Sequence, residues 1–223
     1  MTSTITITDE LLDGKKMLTQ NEKMKETMRV NPGTVFWNFN LPAIKTCPSA
    51  GDCMKFCYAT QGRYIFGSVK NSMERHYLKS LQEWFTDVMD EEIKWRNKNA
   101  RRKHCDLYIR VHDSGDYYSI AYARKWIEIA KCNPDVTFYS YTKCVSMWHH
   151  LIDNGEKPSN FHIIMSEGGK GDAKIRPDDV RAIVVNSVED ITGDMMDATG
   201  NDMIAMKAKI IALPYHGSKK VTV

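Results

Sequence analysis

Six short runs of β-branched and aromatic residues, each followed by a turn or a helical pattern, set the strongest limit on how this chain folds. In the first, residues 35–41, Val35, Trp37, Phe39 and Leu41 alternate with Phe36, Asn38 and Asn40. That period of two marks a strand. The other runs occupy residues 106–111, 136–141, 161–165, 182–185 and 209–213. Helical patterns lie between them. Over residues 67–95, Val69, Met73, Leu81, Phe85, Met89 and Ile93 recur at helical spacing, which gives one long apolar face. Residues 119–130 repeat the pattern with Ala123, Trp126, Ile127 and Ala130, and residues 145–152 and a short turn through Ile191 follow. Strands that alternate with helices form a parallel sheet, and right-handed crossovers make it curl one way. The expected fold is α/β: a partial (β/α)6 barrel of parallel strands, with an open doubly wound sheet as the alternative. Residues 192–202 carry no assignment.

The 223 residues suit a single domain. We place it over residues 33–223 and read residues 1–32 as an N-terminal appendage packed on the outside, closed by the Pro32–Gly33 turn. Within it, Thr and Ile alternate from Thr4 to Thr8 as an edge strand would, and Asp9 is placed to cap a helix. The N-terminal segment lacks a basic start and an apolar core, so it is not a secretory signal. No apolar run approaches the roughly 18 residues of a membrane helix. A cytoplasmic protein with no membrane partner is expected, and there thiols stay reduced. The net charge of +3 is too small to imply a nucleic-acid partner. The basic run at residues 96–104 is read first as a solvated helix end, favoured by the dipole, and second as a weak nucleic-acid contact.

The loop after the first strand reads TCPSAGDCMKFCYA, with Cys47, Cys53 and Cys57 spaced C-x5-C-x3-C. Pro48, Gly51 and Asp52 make its first half a turn. Three thiols on one loop are what an iron–sulfur cluster needs, because its irons are held by thiolates. Zinc is the alternative metal, with a fourth ligand from elsewhere in the chain. Three unligated thiols in a compact loop are the plain alternative. Sheets of this class bind ligands at the C-terminal edge of their strands. That rule gathers the cysteine loop, His112, Ser114, Gly115, Asp116, Lys143, Cys144, Ser166, Gly168, Gly169, Asn186 and His216 on one face. Cys144 is a possible fourth ligand. Cys105 and Cys132 fall at the opposite end and are read as structural thiols, small hydrophobes in effect.

The cysteine loop, Phe56 just before its last cysteine, and Ser114–Gly115–Asp116 after the second strand resemble the radical S-adenosylmethionine superfamily. That resemblance implies a partial barrel of six β/α units and a [4Fe–4S] cluster on Cys47, Cys53 and Cys57. It leaves the fourth iron to the amino and carboxylate groups of S-adenosylmethionine. It implies that Asp116 holds the amino group of that cofactor and that Gly115 lets the backbone approach. Ser166, Gly168, Gly169 and Asn186 then face its ribose and carboxylate, His112, Lys143 and His216 line the substrate side, and an electron donor is a partner. The superfamily spacing is usually C-x3-C-x2-C, shorter than the spacing here. More closely, LPAIKTC, the R-x-H-x-SGD motif, FYSYTK and the closing IIALPYHG are similar to the phage "gene product 88" family of uncharacterised proteins. This likeness spans most of residues 33–145 and the last strand, and it implies the cytoplasm of a phage-infected host cell.

The expected function is therefore a cluster-dependent enzyme of the radical type acting on an unknown substrate. One alternative is a non-catalytic iron–sulfur protein, used in electron transfer, redox sensing or structure, with a fourth protein ligand. The other is a zinc-stabilised binding module to which Arg101, Arg102 and Lys103 contribute.

Overall fold

All six expected strands are present in the computed structural model, which describes residues 16–215. They are β1 (Thr34–Phe39), β2 (Asp106–Val111), β3 (Thr137–Thr142), β4 (Phe161–Ser166), β5 (Arg181–Val185) and β7 (Ile210–Pro214). A seventh, β6 (Met195–Asp197), falls in the stretch that had no assignment. All pairings are parallel, in the order β1-β2-β3-β4-β5-β7-β6. A doubly wound sheet reverses direction from its middle strand. This one steps outward in sequence order from β1 to β5, so the sheet is a curled, open half-barrel, not the doubly wound alternative.

Register sorts the side chains into two cores. Trp37 lies beside Ile109, and Phe36 beside Tyr108. On the convex face Phe39, Leu107, Ile109, Val111, Phe138 and Phe161 pack under α3 (Phe85–Arg101), α4 (Ile120–Cys132) and α5 (Val145–Asp153). Trp126 and Trp148 are fully buried there. Burial of each such large side chain stabilises the fold by roughly 1.5–3 kcal/mol. On the concave face Phe36, Tyr139, Ile164, Ala182 and Ile211 pack against Met24 and Ala205. Met24 belongs to α1 (Glu22–Val30), which Asn21 caps by accepting from the Met24 amide at 2.9 Å.

That placement corrects the expected appendage, because α1 fills the inside of the half-barrel. Met17 and Leu18 are likewise buried, in the convex core. The edge strand expected near Thr4 and the Asp9 cap lie outside the described residues. The long helix over residues 67–95 is also corrected. It is two helices, α2 (Gly67–Ser80) and α3, separated at Leu81–Trp84. The break is held from α4: Lys125 Nζ donates to the carbonyls of Ser80 at 2.9 Å and Gln82 at 2.5 Å. Those carbonyls are orphans of a helix end and need such a partner.

The basic run is not uniformly solvated. Arg96 is buried, donates to Glu92 Oε1 through Nε at 2.9 Å, and lies on the Trp37 ring with its guanidinium carbon 3.3 Å from the centroid. Glu92 in turn accepts from the Met17 amide at 2.6 Å, and Arg96 donates to the Leu18 carbonyl at 3.1 Å. The pair straps the segment before α1 onto α3. Cys132 is exposed, not a packed thiol, whereas Cys105 is half-buried against the convex core. Among the described residues no helix is long and apolar enough to cross a membrane.

Candidate functional site

The C-terminal ends of the strands surround a cavity of about 950 Å³. Its wall takes residues from the loop after β1, the β2 end, β3, β4, β5 and β7. Cys47, Cys53, Cys57, His112, Ser114, Gly115, Asp116, Lys143 and Ser166 all line it. The sheet-edge rule therefore brings together nine of the sequence-derived site residues. Cys144, Gly168, Gly169 and Asn186 do not line it, and His216 lies outside the described residues.

The cysteine loop is built from three short 3-10 turns, Asp52–Phe56, Tyr58–Thr60 and Gly62–Ile65. It is tied to the loop after β4. The Cys53 amide donates to the Gly168 carbonyl at 3.1 Å, and Ala50 bridges Gly169 in antiparallel fashion. Asp172 fixes that second loop by accepting from the amides of Gly168 at 2.7 Å and Gly169 at 2.9 Å. Gly168 has φ +95° and faces Cys53, a conformation and an approach that suit a residue without Cβ. Gly168 and Gly169 thus support the thiol loop from behind the wall.

All six cysteines are free thiols. Burial, with the carboxylate of Asp116 and the neighbouring Cys57 and Cys53 adding to it, pushes Cys47 up to about 12. Burial also raises Cys57, and Lys143 works against that shift. The neighbouring thiols are close enough to oppose the ionisation of Cys47 and Cys57, which a bound cation would reverse, since a coordinating thiol is deprotonated. Lys143 is anchored by its own bonds, with Nζ donating to Ser166 Oγ at 2.8 Å and the Glu167 carbonyl at 2.7 Å. Cys144 is buried, and its Sγ donates to the Tyr117 carbonyl at 3.3 Å instead of facing the cavity. Among the described residues no three His, Cys, Asp or Glu side chains are grouped as ligands of a single metal ion.

Both oxygens of the Asp116 carboxylate are held by the protein: Oδ1 accepts from the Tyr117 amide at 2.8 Å and the Thr142 hydroxyl at 2.7 Å, and Oδ2 from the Lys143 amide at 2.8 Å. It ties the β2 loop to the end of β3. Burial holds its carboxyl above the ordinary range despite those three donors. The helix that follows is capped by Ser119, which accepts from Tyr122 at 3.2 Å. Gly115, with φ +85°, packs so tightly that a Cβ would meet Leu41 Cβ and Thr46 Oγ1 at 2.6 Å. Its role is close packing of the β2 loop on the β1 loop.

His112 is 2% exposed and adopts φ +68°, unusual for a residue with a side chain. Its Nε2 meets the Tyr122 hydroxyl at 2.9 Å, while Nδ1 has no partner among the described residues. Asn186 is exposed beyond the cavity.

A second group in the wall was not apparent from the sequence. Arg110 pairs with Asp113 at 3.1 Å and Asp202 at 3.0 Å. Tyr64 donates to Asp113 Oδ2 at 2.6 Å, and the Tyr58 hydroxyl donates to the Asp113 carbonyl. One signal was available: a lone Arg within the β2 run DLYIRV, at the parity of Tyr108, faces inward. Asp202 carried no signal, since it lies in the unassigned stretch.

A family model described as "Gene product 88" matches residues 11–220. The chain belongs to the Gene product 88 family. The matched span takes in every residue named in the cavity wall. The chain is similar to the "Gene 88 protein" of Mycobacterium phage L5, 28% identical over 44% of this chain and 43% of that protein. It is also similar to the "Gene 88 protein" of Mycobacterium phage D29, 25% identical over 54% of this chain and 51% of that protein. These matches span about half the length of the curated relatives. No solved structure matches.

Proposed function

We propose that this Gene product 88 protein is an iron–sulfur protein of the radical S-adenosylmethionine type. Cys47, Cys53 and Cys57 would hold a [4Fe–4S] cluster, and S-adenosylmethionine would take the remaining iron. The observation that carries this reading is three free thiols on one wall of a cavity of about 950 Å³, at the sheet edge where α/β folds bind ligands. The donor set fits a cluster better than zinc. In a cluster each cysteine binds its own iron, so the thiols surround the group and need not meet at a point. A tetrahedral ion asks for convergence, which the described residues do not provide. The cavity has room for a small molecule beside such a group.

When bound, the cluster supplies single electrons, and an electron donor is then a required partner. The chain's own residues position and insulate. Lys143 sets a positive charge beside Cys57 and offsets the charge of the thiolates. Asp116 acts as a positioning residue that locks the β2 and β3 ends together, since its oxygens are already engaged. Gly168 holds the Cys53 backbone in place.

A non-catalytic iron–sulfur protein is the second reading, and His112 favours it. Its partnerless Nδ1, on a residue of the same wall, is the side-chain atom suited to serve as a fourth ligand. Electron paramagnetic resonance of the anaerobically reconstituted, reduced protein separates the two. A changed signal on adding S-adenosylmethionine is expected. No change, together with cluster loss in His112→Ala, contradicts the first reading in favour of the second.

A further inference from the structure

One end of the cavity is built by residues that the thiols do not use. Arg110, 7% exposed, enters it from β2. Its Nη1 meets Asp202 at 3.0 Å and its Nη2 meets Asp113 at 3.1 Å. Asp202 also takes Lys23 at 2.9 Å and the Tyr139 hydroxyl at 2.6 Å. Asp113 takes the Asn21 amide at 2.7 Å and the Tyr64 hydroxyl at 2.6 Å. Two cations balance two carboxylates: Asp202 Oδ1 has the Lys23 ammonium at 2.9 Å as its one partner, and the other three carboxylate oxygens and both terminal guanidinium nitrogens are hydrogen-bonded or ion-paired within the group.

Two donors are left over. Arg110 Nε and the Tyr141 hydroxyl are buried with no hydrogen-bond partner among the described residues. Both side chains line the cavity, with the guanidinium carbon 5.0 Å from the Tyr141 ring centroid. Tyr58 and Tyr64 stand edge to face at 5.7 Å in the same wall. A buried N–H and O–H without partners call for an acceptor. An anion would bring unbalanced charge into an end whose charges already cancel, and a cation would find no carboxylate oxygen free. The flat faces of the tyrosines suit a planar ring packed by offset or edge contacts.

We infer that this end of the cavity binds an uncharged planar ring bearing a carbonyl group, the chemical class of aromatic amides and uncharged nucleobases. The carbonyl oxygen accepts from the Arg110 and Tyr141 donors. The site stands independently of the iron–sulfur reading, because none of its groups is a thiol.

Benzamide, benzoate and benzamidine share one ring and nearly one shape but carry charges of zero, minus one and plus one. Ligand-observed NMR titration of the full chain with each probe tests the inference. Saturable benzamide binding is expected, with the two charged probes weaker by about tenfold or more. Tyr141→Phe should weaken benzamide by about 2- to 10-fold while leaving the melting temperature unchanged, because that hydroxyl has no bond to lose among the described residues. The folded triple variant Cys47→Ser/Cys53→Ser/Cys57→Ser should bind benzamide as the unmutated chain does, which separates this site from the fate of the thiol reading. The inference is overturned by charged probes binding as well as benzamide, by no saturable benzamide binding, or by a Tyr141→Phe chain that binds it undiminished.

Discussion

The amide of Cys53 donates to the carbonyl of Gly168 at 3.1 Å, which joins the thiol loop after β1 to the loop after β4 across the mouth of the half-barrel. The Lys170 amide, donating to the Ser49 carbonyl at 2.9 Å, makes a second tie beside it. Gly51 lies at the seam, where an added Cβ would sit 3.0 Å from the Gly168 oxygen and the Gly169 carbonyl carbon. Both are backbone atoms and cannot swing aside. Gly51→Ala should therefore force the two loops apart and destabilise the protein by about 1–3 kcal/mol. Gly67→Ala, with nothing within 4 Å of the new Cβ at the start of α2, should be neutral or stabilising. Urea denaturation of the two variants measures the contrast, and equal stabilities would show that the seam is not closely packed.

Thr142 is the link between Asp116 and Cys144. Its hydroxyl donates to Asp116 Oδ1 at 2.7 Å and accepts from the Cys144 amide at 3.0 Å. Thr142→Val keeps the shape but removes both bonds, strands the buried Cys144 amide and leaves Asp116 Oδ1 with the Tyr117 amide alone. A loss of about 1–3 kcal/mol is expected in chemical denaturation, largely recovered in Thr142→Ser. Equal loss in the Ser variant would point to the methyl group instead.

Two histidines give the protein an acid limit above that set by its carboxylates. Burial pushes His76 down to about 4 and His112 down to about 3. Burial lowers the half-buried His162 as well. Because each folded value lies below the unfolded value near 6.5, the unfolded chain takes up protons that the native state refuses. Stability is thus fully present above about pH 6.5 and is lost as pH falls toward the folded values. The loss approaches about 1.4 kcal/mol per pH unit for each fully buried ring. Unfolding free energies measured between pH 7 and pH 5 should show this slope, reduced in His76→Asn. A profile that is flat over that window contradicts the burial of neutral rings.

The parts of this structure that the sequence made legible are those where pattern and location coincide. Strands β1 to β5 and β7 announce themselves through apolar runs closed by turns, and the parallel sheet then dictates that Cys47, Asp116 and Lys143 share an edge. The three-residue strand β6 has too few positions for a period to appear, and its burial is slight. The break at Leu81–Trp84 was hidden because no Gly or Pro marks it. It is made by Lys125, a residue distant in sequence. The direction of Cys144 was equally out of reach, since the strand end fixes its level and the Tyr117 carbonyl fixes its aim. Met24 is one scattered apolar residue in a polar segment, and only the curl of the sheet reveals a concave surface for it to fill.

The central claim is that Cys47, Cys53 and Cys57 together hold an iron–sulfur cluster. Iron and acid-labile sulfide, counted per chain after anaerobic reconstitution, test it most directly. The unmutated protein should carry about four of each, Cys47→Ala, Cys53→Ala and Cys57→Ala should each lose most of both, and Cys105→Ser and Cys132→Ser should lose neither. An unmutated protein without iron and sulfide, or a triple variant that keeps its full complement, would contradict the account.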